Sequence, residues 1–283
     1  MEIVNSRTEL GRLLQRFRAT GQGIGFVPTM GALHQGHLSL IQQAILGNDA
    51  IVVSIFVNPT QFNNSNDLAQ YPKTLDHDVL KIQSLSCSNL IVFTPSVQDI
   101  YGNSVCSRSF DFGGIELEME GRFRPGHFDG VGTVVQTLFD IVRPNKAYFG
   151  EKDFQQLQIV KRLVKIMNSD IDIIACPIAR EPNGLAMSSR NARLTDLEKE
   201  QASIIFKTLK TVHELFSTKE ISYIQQWVNK QFKNKDYIVL EYFQISEESS
   251  LKPAKTIASG FKYRAFISAY VRDIRLIDNI ALN

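Results

Sequence analysis

The chain of 283 residues is 43% hydrophobic and 21% charged, and its formal net charge is +2. This composition is typical of a soluble globular protein, and so small a net charge does not indicate a nucleic-acid surface. The apolar runs are too short for a membrane span, and the first residues do not resemble a secretory signal. Three widely separated cysteines, Cys87, Cys106 and Cys176, argue against a disulfide framework and favour a cytoplasmic protein.

Short apolar runs alternate with helical patterns through the first two thirds of the chain. The predicted strands cover residues 24–27, 50–57, 89–95, 146–150 and 171–177, and the predicted helices cover 38–48, 75–85, 128–142 and 153–167. Repeated β–α alternation builds a parallel sheet with helices on both faces. We therefore expect an α/β fold with a Rossmann-like parallel sheet domain.

The pattern changes near Pro182-Asn183-Gly184. Helices are predicted over residues 195–216 and 222–232, and Thr195 with Glu198 forms a capping box at the start of the first. The stretches 237–245 and 262–271 alternate like half-exposed antiparallel strands. We expect a Rossmann-like domain over residues 1–180 and a smaller C-terminal α+β domain, with the character of a lid, over residues 181–283.

The stretch "FVPTMGALHQGHLSLI" places His34 and His37 between the first predicted strand and its helix. Ligands bind outside the carboxyl ends of parallel strands, and the first turn of a helix offers unpaired N–H groups to a phosphate. Gly31 and Gly36 let the backbone approach such a ligand closely. The stretch predicts a phosphate site, whereas the structural alternative is a loop histidine beside a polar residue at a helix start.

Two further stretches follow later strands of the same predicted sheet. "VNPTQF" offers the amides of Asn58 and Gln61, which suit recognition of a hydroxyl or carboxylate but equally suit capping of a turn. "FGEKDFQQL" offers Lys152 for a phosphate, Asp153 as a helix cap and Gln156 within the next helix.

Two other stretches carry charged groups. "GLAMSSRN" supplies Ser188, Ser189 and Arg190, which together suit an anion. "YPKTLDHDVL" supplies Asp76 and Asp78, which suit Mg²⁺ or simply favour the start of a helix.

Six motifs in order identify a family resemblance over nearly the whole chain: "PTMGALHQGH", "VSIFVNPTQF", "YPKTLDHD", "RPGHFDGV", "FGEKDFQQL" and "GLAMSSRN", followed by the terminal "RLIDN". With them the chain closely resembles the pantoate–β-alanine ligases of the nucleotidyltransferase superfamily. It departs from that pattern at Thr60, where methionine is common, at His77, where the stretch is often more acidic, and over Cys87–Pro95, which replaces a glycine turn.

The resemblance implies a ligase that activates pantoate with ATP as an adenylate and then transfers the pantoyl group to β-alanine. It implies Mg²⁺ with the ATP, and it implies a homodimer. His37, His34, Lys152 and Arg190 are the implied catalytic residues, with His37 as a hydrogen-bond or proton donor.

The implied binding residues fall into three groups. The ATP-binding group is Met30, Gly31, Ala32, Leu33, His34, Gln35, Gly36, His37, Gly150, Glu151, Lys152, Asp153, Ala179, Met187, Ser188, Ser189 and Arg190. The pantoate-binding group is Gln61, Gln156, Asn58 and Arg124, and the implied metal ligand is Asp78, chosen over Asp76.

Two rival hypotheses stay open at this point. Another nucleotidyltransferase, such as an adenylyltransferase or cytidylyltransferase, would share the two-histidine motif but not the combination of "VNPTQF" and "GEKDFQQ". A non-catalytic nucleotide- or RNA-binding module is the alternative of another class, although basic and aromatic residues are not interleaved as RNA binding favours.

Overall fold

The computed structural model describes residues 1–62, 68–69 and 71–283. These residues form two compact units. The first unit contains Met1–Glu151 and Gln155–Pro177, and the second contains Lys152–Phe154 and Ile178–Asn283. The functional division at residue 180 stays a prediction. Within the described residues, no helix combines the length and apolar character that a membrane span requires.

The first unit contains a parallel sheet of six strands in the order β1-β4-β3-β2-β5-β6. The strands are β1 (Glu2–Val4), β2 (Ile24–Thr29), β3 (Ala50–Ile55), β4 (Leu90–Phe93), β5 (Lys146–Gly150) and β6 (Asp172–Cys176). The β-branched run predicts a strand covered on both faces, and every residue of β3 except the last is buried. The predicted α/β class is confirmed.

Each of the four helices predicted for this unit is present, and their bounds differ from the predicted ones by up to three residues. The helices observed are α1 (Arg7–Ala19), α2 (Gln35–Gly47), α3 (Leu75–Gln83), α4 (Val97–Tyr101), α5 (Met119–Phe123), α6 (His127–Val142) and α7 (Phe154–Ile166). Helix α2 ends at Gly47, as the sequence predicts. The prediction missed β1, α1, α4 and α5.

The second unit contains an antiparallel sheet in the order β7-β8-β9 and three helices. Its elements are α8 (Asp196–Ala202), α9 (Ile204–Phe216), α10 (Ile221–Phe232), β7 (Val239–Glu247), β8 (Tyr263–Val271) and β9 (Ile274–Ala281). Thr195 and Glu198 form the predicted capping box. The helix predicted over residues 195–216 is divided at Ser203 into α8 and α9.

For the antiparallel sheet, the half-exposed character predicted for residues 262–271 was wrong, and one strand was missed. Strand β8 is buried at nearly every residue instead of being half-exposed, because it is the central strand of the sheet. Strand β9 was not predicted, although it contains the "RLIDN" motif. Its side chains alternate between faces, and the polar residues Asp278 and Asn279 are both buried.

The parallel sheet places two predicted site segments after the ends of neighbouring strands. Strand β2 leads into the glycine–histidine loop, and β3 leads into a 3₁₀ turn at Pro59–Gln61. Helix α6 packs on that turn at Gly130. A Cβ atom added at Gly130 would lie 2.6 Å from the carbonyl oxygen of Thr60 and 3.0 Å from the Cα of Gln61. The absence of a side chain at Gly130 therefore allows the turn that carries Gln61 to approach α6 this closely.

We expect Gly130→Ala to lower the free energy of unfolding by about 1–3 kcal/mol, the usual cost of one extra methyl group in a packed site. Gly11→Ala is the matched control, because an added Cβ at that glycine of α1 meets nothing within 4 Å. The control should leave stability unchanged or raise it by up to about 1 kcal/mol, since alanine favours a helix. Denaturant unfolding of both variants decides, and equal stabilities would contradict the close approach.

Candidate functional site

His34 and His37 close the first turn of α2 through reciprocal hydrogen bonds. His34 is the N-cap residue, and its Nδ1 accepts from the backbone N–H of Gly36 at 3.1 Å. The Nδ1 of His37 accepts from the backbone N–H of His34 at 3.3 Å. The two imidazole rings lie with their centroids 4.1 Å apart. The structure therefore brings the two predicted histidines together at a helix N-terminus.

These hydrogen bonds select one tautomer of each ring. A neutral imidazole carries its proton on one nitrogen and accepts with the other. Because Nδ1 of both His34 and His37 accepts a backbone N–H, we infer that each neutral ring carries its proton on Nε2. The site thus has two imidazole N–H donors beside the positive end of the α2 dipole, an arrangement suited to phosphate oxygens.

Asp78 fixes the backbone of the loop that carries the histidines. Its Oδ2 accepts from the N–H of Ala32 at 2.9 Å, and its Oδ1 accepts from the N–H of Leu33 at 2.7 Å. Gly31 and Ala32 both have positive φ angles, of 81° and 49°, so this conformation carries backbone strain at the alanine. The side chain of Thr74 donates to the same carboxylate at 3.2 Å. The two loop N–H groups therefore bind a carboxylate of the chain itself.

The surroundings of Asp78 do not fit a direct magnesium ligand. A carboxylate that binds Mg²⁺ directly must offer an oxygen to a near-octahedral shell in which the ion usually keeps several waters. Asp78 is fully buried, and both its oxygens already accept hydrogen bonds. Among the residues that the structure describes, no group of three or more histidine, cysteine or acidic side chains could hold a metal ion. Asp76, the alternative acid, is exposed in the first turn of α3.

Asn58 acts as the cap that the sequence offered as its structural alternative. It is buried, and its Oδ1 accepts from the backbone N–H of Thr60 at 3.4 Å. Its Nδ2 donates to the carbonyl of Gly130 and to the Oε1 of Gln61, both at 3.1 Å. The side chain of Gln61 is thereby oriented, and its Nε2 contacts the sulfur of Met30.

The backbone of Gln61 is held as firmly as its side chain. Arg124 donates to the Gln61 carbonyl at 3.1 Å, and Nδ1 of the buried His127 lies 2.9 Å from the same oxygen. Both residues come from the "RPGHFDGV" motif. Arg124 and His127 therefore position Gln61, a role for His127 that the sequence did not reveal.

The hydroxyl of Thr60, one of the residues at which the chain is expected to depart from the family pattern, is hydrogen-bonded. The Thr60 hydroxyl lies 2.7 Å from the hydroxyl of Tyr101, which also donates to Asn58. Burial raises the pKa of Tyr101, and the hydrogen bonds to Thr60 and Asn58 oppose that shift. Tyr101 therefore stays protonated near neutral pH as the donor of this small network, another contribution that sequence reasoning missed.

The second unit carries the predicted lysine. Lys152 lies in a 3₁₀ turn at Glu151–Asp153, and its ammonium group is 3.6 Å from the carboxylate of Asp153. The carbonyl of Lys152 accepts from Nδ2 of Asn279 at 3.0 Å.

Gln156, predicted to bind pantoate, is half-buried in α7. The neighbouring Gln155 is buried and binds the backbone of Ile115, Glu118 and Glu120.

The predicted anion-binding segment of this unit begins a 3₁₀ helix at Ser189–Arg193. Ser188 is its N-cap and accepts from the backbone N–H of Arg190 at 3.3 Å. The N–H of Met187 donates to the carbonyl of Ala179 at 2.9 Å, which joins two predicted ATP-binding residues. Ser188 therefore stabilises the first turn of the 3₁₀ helix, which contains Arg190.

Cys176 ends β6, and its thiol is free and buried. Burial raises its pKa to about 11, with a smaller effect from the carboxylate of Glu151. The thiolate is scarce at neutral pH, so nucleophilic cysteine chemistry finds no support at this position.

We expect Asp78→Asn to lower the free energy of unfolding by about 1.5–3 kcal/mol, the range for a hydrogen bond to a buried charged group. It should also speed amide hydrogen exchange at Ala32 and Leu33. Asp76→Asn is the control, because Asp76 shares the same helix turn but is exposed; it should change stability by less than about 0.5 kcal/mol. Unchanged stability with weakened Mg²⁺ binding in Asp78→Asn would restore the direct metal role.

The chain is similar to known proteins over its whole length. Residues 2–281 match the family model for pantoate-beta-alanine ligase. The chain is 52% identical over 282 residues to the pantothenate synthetase of Flavobacterium psychrophilum, covering 100% of both chains. It is 47% identical over 283 residues to that of Christiangramia forsetii, again covering 100% of both.

Solved structures agree with this similarity. The pantothenate synthetase of Thermus thermophilus superposes with a TM-score of 0.91 at 34% identity, covering 100% of this chain and 99% of the other. The pantoate-beta-alanine ligase of Francisella tularensis, crystallised with beta-gamma ATP and beta-alanine, gives a TM-score of 0.77 at 36% identity, with 100% and 98% covered. Because the family model, the relatives and the solved structures agree over the whole chain, the chain belongs to the pantoate–β-alanine ligase family.

Proposed function

We propose that the chain catalyses the ATP-dependent ligation of pantoate to β-alanine, with pantothenate, AMP and pyrophosphate as products. Membership of the family over residues 2–281 is the observation that carries this proposal. The Francisella tularensis relative, crystallised with beta-gamma ATP and beta-alanine, supports the two substrates. The paired imidazole donors at the start of α2 supply the chemistry that a polyphosphate substrate needs.

The reaction proceeds in two steps in this proposal. The carboxylate of pantoate attacks the α-phosphorus of ATP, the bond to the bridging oxygen breaks, and pyrophosphate leaves. The amine of β-alanine then attacks the carbonyl carbon of the pantoyl-adenylate, loses a proton and releases AMP. Negative charge gathers on the α-phosphate and on pyrophosphate in the first step, so preorganised donors contribute most to its rate.

His37 and His34 are the donors to that charge. The Nε2–H that their hydrogen bonds select can donate to phosphate oxygens, and the N-terminus of α2 adds its dipole. Neutral imidazoles add donors without fixed positive charge. They therefore bind the ground-state polyphosphate less tightly than additional lysines would, and more of the interaction is reserved for the transition state.

The remaining residues bind the two substrates. Lys152, Ser188, Ser189 and Arg190 bind phosphate oxygens, because they combine two cations with two hydroxyl donors. Gln61, oriented by Asn58 and by the contacts of Arg124 to its carbonyl, binds pantoate together with Gln156. The other ATP-binding residues are Met30, Gly31, Ala32, Leu33, Gln35, Gly36, Gly150, Glu151, Asp153, Ala179 and Met187.

Mg²⁺ enters as part of the ATP substrate in this proposal, bound mainly by phosphate oxygens and water. Its chemistry is neutralisation of phosphate charge. No step is assigned to Asp78 through the metal.

The homodimer implied by the family resemblance is also proposed, and light scattering should give twice the mass of the chain. The cytoplasm is the proposed location, on the grounds of cysteine usage.

The adenylate route predicts exchange of labelled pyrophosphate into ATP in the presence of pantoate and the absence of β-alanine. Exchange arises because the first step is complete and reversible before the amine arrives. The control omits pantoate and should show no exchange. A strict requirement for β-alanine, or release of ADP in place of AMP, would contradict the adenylate.

His37→Ala should lower kcat by roughly 10²–10³-fold, the usual loss for one donor to a developing oxyanion. The KM for pantoate should change little, since Gln61 and Gln156 bind that substrate. The lost cap to His34 should cost only about 1 kcal/mol of stability. His213→Ala is the control, because this histidine of α9 is exposed, contacts the carbonyl of Ala281 and has no part in the proposed site.

Steady-state kinetics and a thermal melt on the same preparations separate the two interpretations. A His37→Ala variant with wild-type kcat and a lowered melting temperature would show that the histidine is structural.

A further inference from the structure

The "RLIDN" motif contains two buried polar residues to which the proposed reaction gives no role. Asp278 is 3% exposed and Asn279 is 2% exposed, on adjacent positions of β9. Buried polar side chains are almost always hydrogen-bonded, so their partners show which parts of the chain they hold. Asn279 contacts the segment that carries Lys152, and Asp278 contacts Arg180, which bridges to the residue before Met187–Arg190.

Asn279 holds the segment Lys152–Phe154. Its Nδ2 donates to the Lys152 carbonyl at 3.0 Å, and its Oδ1 accepts from Nη1 of Arg264 at 2.6 Å. The guanidinium carbon of Arg264 lies 3.9 Å from the ring centroid of Phe154, and that ring packs on Phe266. These contacts use the backbone of Lys152 and the ring two residues later, so they orient the lysine without engaging its ammonium group.

Asp278 holds the backbone that leads into Met187–Arg190. Its carboxylate accepts two hydrogen bonds from Arg180, at 2.6 and 3.0 Å. Arg180 also donates to the carbonyl of Gly184 at 3.1 Å, and it forms an antiparallel bridge with Ala186. Ala186 directly precedes Met187, so the buried ion pair fixes the start of the anion-binding segment.

We infer that Asp278 and Asn279 are positioning residues that set where Lys152 and the Ser188–Arg190 segment stand relative to each other. Consecutive residues of a strand have a fixed spacing, and their side chains project to opposite faces. One strand thus holds both segments at a fixed separation within the second unit. The inference rests on the proposed function, since it assigns phosphate binding to these two segments.

A matched ion pair in the same sheet provides the control for a purely structural role. Arg275 of β9 donates to Oε2 of Glu241 in β7 at 2.8 Å through Nε and at 2.6 Å through Nη2. Both side chains are partly buried, with 18% and 14% exposed. Glu241→Gln and Asp278→Asn are both isosteric changes that neutralise a carboxylate paired with arginine, although Asp278 is the more buried of the two, with 1% of its side chain exposed.

The experiment measures kcat, the KM values for ATP and pantoate, and melting temperature for Asn279→Ala, Asp278→Asn and Glu241→Gln. Misplacement of a catalytic group by about 1 Å can cost about 10²-fold, so we expect kcat to fall by roughly 10–100-fold in the first two variants. The KM for pantoate should stay within about twofold, because its proposed ligands lie in the first unit. Glu241→Gln should keep kcat within about twofold, even if its melting temperature falls as much as that of Asn279→Ala or Asp278→Asn.

Wild-type kcat in both Asn279→Ala and Asp278→Asn, or an equal loss in Glu241→Gln, would overturn the inference. If Asn279→Ala does not fold, Asn279→Thr, whose β-branched side chain suits a strand, is judged by the same criteria. A wild-type enzyme that forms no AMP from ATP, pantoate and β-alanine would instead overturn the proposed function. The two failures are therefore distinguishable.

Discussion

The reciprocal hydrogen bonds between His34 and His37 are the interaction on which the proposed chemistry depends. Each ring uses Nδ1 as an acceptor inside the first turn of α2. The same bonds complete the cap of the helix and leave the proton of each neutral ring on Nε2. The two hydrogen bonds therefore cap the helix and also determine that Nε2 is the nitrogen that can donate to a phosphate oxygen.

Buried polar side chains hold each segment that carries a proposed ligand. Asp78 binds two N–H groups of the histidine loop, Asn58 orients Gln61, and Asp278 with Asn279 holds the segments of the second unit. Leaving a buried polar group without its hydrogen bond is costly, so these contacts hold the segments in place. Such preorganisation is what electrostatic stabilisation of a transition state requires.

The sequence predicted the parallel sheet, because continuous apolar runs and helical spacing are local signals that report burial directly. It did not predict β9 or the division of a helix at Ser203, since these depend on packing partners distant in the sequence. The position of the histidine loop and of Lys152 after predicted strands was readable from the sequence, whereas the structural use of Asp78 became visible only through its contacts with Ala32 and Leu33. An acidic residue at a helix start looks the same in sequence whether it binds a metal or a backbone.

Nitrogen-15 NMR of the imidazole rings tests the central claim most directly, because protonated and unprotonated ring nitrogens resonate at well-separated frequencies. With the protein labelled at histidine and the rings held neutral by pH, the account predicts that His34 and His37 each carry the proton on Nε2 and that Nδ1 is unprotonated. The single variants His34→Ala and His37→Ala assign the two signals. A proton on Nδ1 of either ring would contradict the hydrogen bonding of the loop, and with it the donor role proposed for that histidine.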